Sequence, residues 1–197
     1  MIHFLYALVF SLLLQIEVII ILFLKVSVFM KIFLASDHAG VELKSYLYLK
    51  LMDRHFLPEL RQTIRHMDIV DLGPQSTESV DYPDYANILC HKLHGFSVID
   101  SNPSEKKLTH LTELGILICG SGQGMAIRAN KFPHIRAALV YSAEIATLSR
   151  EHNDANVLCL GSRFTTQEQA AQYLEIFLST SFAGGRHLNR VVKLNAP

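Results

Sequence analysis

From residue 30 onward the sequence predicts an α/β protein built on one doubly wound parallel sheet of about five strands, flanked by helices. Short apolar runs alternate with stretches that carry apolar residues at helical spacing. A Gly-rich turn at residues 119–124 joins one apolar run to the helix after it. Alternating strands and helices form parallel βαβ units with right-handed crossovers. Ligands of such sheets bind outside the carboxyl ends of the strands, so polar clusters at that edge are candidate sites.

The predicted elements follow one another in strict alternation. Strands are predicted at residues 31–36, 67–72, 114–119, 135–141 and 157–161. Helices are predicted at residues 41–54, 81–93, 123–131, 142–151 and 166–180, with a last helix-like segment at residues 186–194. Asp81 is expected to cap the second helix, with Pro83 in its first turn, and Thr165 or Thr166 to cap the fifth. The polar stretch at residues 96–113 is expected to form a surface loop.

An extra apolar segment, residues 1–29, precedes the predicted domain at residues 30–197. Its length would allow a membrane-spanning helix, but Glu17 in the middle of a span would be costly in lipid. The segment has neither the basic start nor the Ala-x-Ala cleavage site of a secretory signal. Met30 begins a natural first strand. Three interpretations stay open: a spurious or dispensable extension, a membrane anchor, or a targeting segment.

Composition narrows the class of protein. The formal net charge of the 197-residue chain is zero, which argues against a broad electrostatic surface for nucleic acid. The three cysteines, Cys90, Cys119 and Cys159, have no metal-ligand spacing and are expected to be reduced cytoplasmic thiols. Met125 stands where the third glycine of a dinucleotide-binding fingerprint would be. We therefore expect neither a metal nor a cofactor.

The turn after the third strand carries the clearest chemical signal. Cys119 ends that strand, and the residues that follow, Gly120-Ser121-Gly122-Gln123-Gly124, open a helix. Backbone N–H groups at a helix N-terminus attract an anion, and the same donors favour the thiolate form of a neighbouring cysteine. A lone strand-end cysteine is more often a buried core thiol. The glycines favour a reactive role for Cys119, whereas Cys90 and Cys159 lack this context and are expected in the core.

Further polar clusters fall at strand ends. Asp37-His38 follows the first strand and Ser162-Arg163 follows the fifth, on the same edge as Cys119. Asp37 also has a simpler interpretation as a helix N-cap. His152 lies where a helix leads into the fifth strand, so we expect it near the opposite edge. That position is awkward for a one-subunit site unless a partner subunit contributes His152 or the helix is shorter than predicted.

Two arginines near the carboxyl end of the chain form a candidate phosphate site. Arg186 and Arg190 are one helical turn apart, so both guanidinium groups can face one phosphate. Such a pair is more often a solvated helix face. His187 and the preceding Gly184-Gly185 favour the phosphate interpretation.

Taken together, these motifs resemble the type B ribose-5-phosphate isomerase family, which includes the galactose-6-phosphate isomerase subunits. The matching stretches lie at residues 35–40, 81–86, 115–124, 129–131, 149–158, 161–163 and 184–190. In family order and spacing they cover the chain from Met30 to about Leu194. The chain departs from the family in the N-terminal extension and in the longer stretch at residues 96–113. The resemblance implies the Rossmann-like fold already predicted.

The resemblance also implies a reaction: interconversion of ribose 5-phosphate and ribulose 5-phosphate through an enediolate, in the non-oxidative branch of the pentose phosphate pathway. Cys119 would be the base, His152 would open the sugar ring, and Ser121 would orient the substrate or activate the thiol. Some members of the family use a Glu just after the glycines. Met125 holds that position here, so the thiol version applies.

Substrate contacts follow from the same resemblance. Some residues are expected to bind the developing oxyanion, the sugar hydroxyls or the phosphate, and others to line the pocket. They are Gly120, Gly122, Gln123, Gly124, Asp37, His38, Tyr82, Asn153, Arg163, Arg186 and Arg190. In this family the base and the phosphate clamp come from different subunits, which implies a homodimer or a dimer of dimers. Three alternatives stay open: a galactose or allose 6-phosphate isomerase, a nonenzymatic sugar-phosphate binding module, and a thiol hydrolase using Cys119 and His152.

Overall fold

The computed structural model describes residues 28–94 and 113–194. The N-terminal segment before Val28 and the stretch from 95 to 112, with most of the predicted surface loop, lie outside the described residues. The strands are β1 (Val28–Ser36), β2 (Ile64–Asp71), β3 (Glu113–Cys119), β4 (Ala137–Leu139) and β5 (Val157–Gly161). They form one parallel sheet in the order β2-β1-β3-β5-β4. The predicted doubly wound sheet is therefore confirmed.

Helices cover both faces of this sheet. They are α1 (Val41–Met52), α2 (Pro58–Thr63), α3 (Tyr82–Lys92), α4 (Gln123–Ala129), α5 (Ala143–Asn153), α6 (Gln167–Ser179) and α7 (Leu188–Leu194). Successive residues of a strand point to opposite faces, so Ile32 and Leu34 pack in one apolar cluster and Phe33 in the other. The first cluster contains residues of α1, α5 and α6, and the second contains residues of α3 and α4.

The winding reverses between β1 and β3, which creates the crevice where doubly wound sheets bind ligands. The two strand ends are joined there, because the Asp37 amide donates to the Ile118 carbonyl at 3.0 Å. Gly40 packs directly on the same carbonyl: a Cβ at Gly40 would lie 2.8 Å from the Ile118 oxygen. A side chain at position 40 would push the 3-10 turn His38–Gly40 away from β3.

Several helices and strands differ in extent from the prediction. Helix α2 was not predicted, since none of its six residues is buried and it has no apolar pattern to reveal it. The edge strand β4 is three residues long, shorter than predicted. Helix α5 runs through Asn153, two residues past its predicted end at residue 151, so the alternative of a shorter helix does not apply. Strand β1 begins at Val28, two residues before the predicted domain boundary.

Two helix caps were anticipated from the sequence. Thr166 caps α6 in a reciprocal capping box with Gln169. Asp81 precedes α3 as expected, with Pro83 in the first turn, but its side chain makes no capping hydrogen bond. Among the helices of residues 28–94 and 113–194, none is both long and apolar enough to cross a membrane.

Candidate active site

The loop after β3 directs a backbone N–H group at the Cys119 sulfur. Cys119 is 4% exposed, and the Gly122 amide donates to its Sγ at 3.1 Å. Gly122 has φ +76, in the left-handed region, and a Cβ there would lie 2.5 Å from Leu139 Cδ1. Only glycine fits this position, since any side chain would be strained and would collide with Leu139. The glycine thus directs an N–H group at the sulfur.

Tyr82 and Arg163 border the same loop. The Tyr82 ring lies against Gly124, where a Cβ would approach its Cζ to 2.5 Å. The Arg163 guanidinium lies against Gly120, with its Cζ 3.1 Å from where a Cβ would be. Both side chains remain in contact with solvent, Tyr82 at 39% exposure. They therefore sit at the rim of the loop and leave its outer side accessible.

Asp37 and His38 extend this edge at the end of β1. One Asp37 carboxylate oxygen accepts from the Ala39 and Gly40 amides at 2.9 and 3.1 Å, which confirms its role as an N-cap. The Val80 amide lies 3.2 Å from His38 Nδ1 and donates to it, so the ring is fixed to the segment that precedes α3. The loop glycines 120, 122 and 124 with Ser121 and Gln123, together with Asp37, His38, Tyr82, Cys119 and Arg163, are called the thiol cluster below.

Ser162 connects the segments that carry the thiol cluster through its side-chain hydroxyl. Its hydroxyl donates to the Ala39 carbonyl at 2.8 Å and lies 3.3 Å from the Cys119 carbonyl. The ends of β1, β3 and β5 are therefore joined through one side chain. The sequence placed Ser162 at this edge but gave no reason to assign it a role, because its partners lie 123 and 43 residues away.

The remaining predicted site residues lie elsewhere. His152 is in the last turn of α5, and its ring stacks on His187 with centroids 4.2 Å apart and planes 5° apart. Arg186 and His187 belong to a 3-10 turn and α7 begins at Leu188, so the predicted helix-like segment at residues 186–194 consists of two successive helical pieces. Asn153, Arg186 and Arg190 are exposed. The set His152, Asn153, Arg186, His187 and Arg190 is called the histidine cluster below.

Topology separates the two clusters within one chain. The thiol cluster lies at the carboxyl ends of β1, β3 and β5. Helix α5 runs back from the carboxyl edge to the start of β5, so its last turn lies at the amino edge. The Ala183 amide donates to the Glu151 carbonyl at 3.0 Å, which holds the segment before α7 at this same edge. The predicted placement of His152 near the opposite edge is therefore confirmed.

The electrostatics of the histidine cluster favour a neutral ring at His187. Burial lowers the pKa of His187, and the nearby charges of His152, Arg186 and Arg190 lower it further. Glu151 opposes this effect. The Arg186 Nε lies 3.4 Å from His187 Nε2. Within the described part of the chain, the buried Nδ1 of His187 has no hydrogen-bond partner.

The other two thiols belong to the core. Burial raises the pKa of Cys90 to about 12, and burial with the neighbouring Cys90 and Cys119 raises that of Cys159. Both are fully buried, as expected for unreactive cysteines. In residues 28–94 and 113–194, no group of three His, Cys, Asp or Glu side chains is arranged to hold a metal ion.

Comparison with known proteins places this geometry in a class. The family model described as Ribose/Galactose Isomerase matches residues 32–194. A probable ribose-5-phosphate isomerase B of Mycoplasma pneumoniae is 41% identical over 166 residues, covering 84% of this chain and 93% of that protein. The structure of ribose 5-phosphate isomerase B from Anaplasma phagocytophilum has a TM-score of 0.68 at 42% identity, covering 85% of this chain and 98% of its own.

A further solved structure carries a ligand. Ribose-5-phosphate isomerase B from Mycoplasma genitalium, with bound ribulose-5-phosphate, has a TM-score of 0.67 at 38% identity and covers 84% of this chain and 95% of its own. These similarities define the class of the protein described here as an isomerase. The chain belongs to the ribose/galactose isomerase family, and its resemblance to the type B ribose-5-phosphate isomerases is confirmed.

Proposed function

We propose that this protein interconverts ribose 5-phosphate and ribulose 5-phosphate at a site shared between two copies of the chain. The observation that carries the proposal is the Gly122 amide directed at the Cys119 sulfur at 3.1 Å. A thiolate held by an amide, beside a loop of further N–H groups, suits a reaction in which a proton moves next to a developing oxyanion.

Cys119 is the base in this proposal. Its thiolate removes the proton from C2 of the open-chain aldose and returns it to C1 of the enediolate. Loop N–H groups between Gly120 and Gly124 stabilise the negative oxygen of that intermediate. Ser121, which is exposed beside the sulfur-bearing strand end, orients the substrate. Asp37, His38 and Tyr82 contact the sugar from the rim.

His152 opens the ring. Free ribose 5-phosphate is mostly a furanose, so the ring oxygen must gain a proton as its bond to C1 breaks. Imidazole suits this step because it exchanges protons near neutral pH. Asn153 follows His152 in the chain and is exposed, so it is available to hydrogen-bond a sugar hydroxyl. Arg186 and Arg190 of the same cluster bind the phosphate, while Arg163 is an additional candidate on the thiol side.

The separation of the clusters supports a shared site. A single pentose phosphate cannot reach from the carboxyl edge of the sheet to the amino edge of the same chain. A second copy whose histidine cluster covers the thiol cluster would complete the site, and two-fold symmetry would generate two such sites per homodimer. The three free thiols support a reducing compartment, as the cytoplasm is.

The choice of ribose 5-phosphate as substrate is supported by the names of the relatives, and an activity assay tests it. Purified full-length protein, and a second form that starts at Met30, are assayed with ribose 5-phosphate, allose 6-phosphate and galactose 6-phosphate. We expect the highest kcat/KM with ribose 5-phosphate and equal values for the two forms. Turnover of a hexose phosphate alone would favour the second candidate, a hexose 6-phosphate isomerase, which the family description also covers. Binding without any turnover would indicate a nonenzymatic sugar-phosphate module.

A further inference from the structure

Three buried charged side chains lie directly behind His152 and Asn153. The Asp154 side chain is 0% exposed and accepts from Arg136 Nη2 at 2.9 Å and from Arg150 Nη1 at 2.8 Å. Both arginine side chains are 6% exposed. Arg136 precedes β4 and Arg150 lies on α5, so the contacts join two elements at the amino edge. Arg136, Arg150 and Asp154 are called the charge triad below.

A buried triad of this kind is poor support for a purely stabilising role. Moving ions out of water is costly, and apolar replacements of similar volume are often equally stable. Burial lowers the pKa of both Arg136 and Arg150, and the Asp154 carboxylate opposes that shift by ion pairing. The informative property of the triad is therefore the geometry that it imposes on its neighbours.

The triad fixes an unusual backbone turn. Asp154 has φ 46 and ψ 45, a left-handed conformation that is costly for a residue with a Cβ. This turn ends α5 immediately after Asn153, and the Ala155 amide then donates to the Ser149 carbonyl at 3.0 Å. Because the two arginines hold the carboxylate, they also hold Asp154 in this conformation.

Hydrogen bonds from Arg136 and from the Ala183 amide fix the backbone on the two sides of His152. Arg136 Nε donates to the Asn153 carbonyl at 3.0 Å and to the Asp154 carbonyl at 2.9 Å. On the other side, the Ala183 amide donates to the Glu151 carbonyl at 3.0 Å. His152 lies between these fixed carbonyls, with its ring stacked on His187. Its position is thus set by the triad, by the Ala183 contact and by the stack.

We propose that the charge triad positions His152 and Asn153 for the ring-opening step. This inference rests on the proposed function, in which those two residues reach the sugar bound at the partner's thiol cluster. Arg136, Arg150 and Asp154 touch no reacting atom and act only through the end of α5. A catalytic group displaced by about 1 Å loses on the order of 10²-fold in rate, so the positioning role has a measurable size.

The test compares a substrate that needs ring opening with one that does not. Ribose 5-phosphate is cyclic, whereas ribulose 5-phosphate cannot form a five-membered ring because its 5-hydroxyl carries the phosphate. Exchange of the ribulose 5-phosphate C1 proton with solvent deuterium therefore reports on the base alone. In Asp154→Asn we expect turnover of ribose 5-phosphate to fall about 10²-fold, while C1 exchange changes by less than about threefold.

Two further variants keep the test decisive. Arg136→Lys retains the charge but loses the Nε–H group that reaches both carbonyls, so it should show the same selective loss at smaller size. Leu47→Ala removes a fully buried side chain from α1 and destabilises the protein through a cavity. It should leave the ratio of turnover to exchange unchanged. A parallel loss of both reactions in Asp154→Asn, or a changed ratio in Leu47→Ala, would overturn the positioning role.

An NMR readout separates this inference from the proposed function. Ring-proton resonances of His152 and His187 report on their stack without any substrate. We expect these resonances to shift in Asp154→Asn and to stay in place in Leu47→Ala. If the wild-type protein neither turns over ribose 5-phosphate nor exchanges ribulose 5-phosphate, the proposed function fails. The positioning role is then judged on the resonances, and unchanged resonances in Asp154→Asn would overturn it.

Discussion

The two edges of the sheet hold their polar groups in different ways. At the carboxyl edge, backbone geometry fixes the polar groups: Gly122 directs its amide at Cys119, and Ser162 hydrogen-bonds carbonyls at the strand ends. At the amino edge, buried charges fix them: Asp154 pairs with two arginines behind the turn that follows His152. An amide-lined loop is set by local sequence, whereas a charge triad requires distant elements to fold first.

The largest expected effect is a loss of turnover when the proposed base at the carboxyl edge is removed. Replacing Cys119 with Ala removes the proposed base, so kcat should fall about 10²–10⁴-fold, while binding of ribulose 5-phosphate is retained. Steady-state kinetics and calorimetric titration measure the two quantities. Cys90→Ala alters a buried thiol outside the loop and serves as the matched control. An unchanged kcat in Cys119→Ala would reject the sulfur as the base.

A second, smaller effect is expected at the amino edge. Arg190→Met should raise the KM for ribose 5-phosphate about 10- to 100-fold with little change in kcat, because it removes a charged hydrogen bond to phosphate. Competitive inhibition by inorganic phosphate should weaken in parallel. Lys193→Met, on the exposed side of the same helix, is the control. A large fall in kcat at constant KM would contradict a phosphate role for Arg190.

The third prediction concerns stability, not activity, at the carboxyl edge, which also contains a buried ion pair. Lys44 is fully buried, and its Nζ lies 2.5 Å from the Asp71 carboxylate. Burial raises the pKa of Asp71, but hydrogen bonds from Lys44, Gly73 and Gln75 outweigh it and hold the pKa below the ordinary value of 3.8. Lys44→Met should lower the free energy of unfolding by about 3 kcal/mol at neutral pH.

The pH dependence of that loss has a definite sign. A carboxyl whose folded pKa is lowered contributes stability above about pH 4, and the contribution disappears as the pH falls through the folded pKa. The difference between wild type and Lys44→Met should therefore narrow below about pH 4 in urea unfolding. Lys31→Met breaks the exposed pair with Asp68 and should cost under about 1 kcal/mol. A difference that widens in acid would contradict the assignment.

Much of the fold was predictable because its signals are local. Apolar periodicity gave the strands and the long helices, and glycine spacing identified the loop around Cys119. Helix α2 escaped prediction because it buries no side chain. The amino edge was harder: Arg136 and Asp154 are 18 residues apart, and nothing in their immediate sequence indicates that they meet. The placement of His152 followed from topology, but its stack on His187 did not.

The proposed function requires one catalytic site formed by two copies of the chain. Cys119→Ala and His152→Ala chains, each with its own purification tag, are coexpressed, and dimers that carry both tags are isolated. Each such dimer holds one doubly altered site and one intact site, so we expect about half the wild-type turnover, although either variant alone is inactive. Doubly tagged dimers of Cys119→Ala with itself are the control. Mixed dimers as inactive as that control would contradict a shared site.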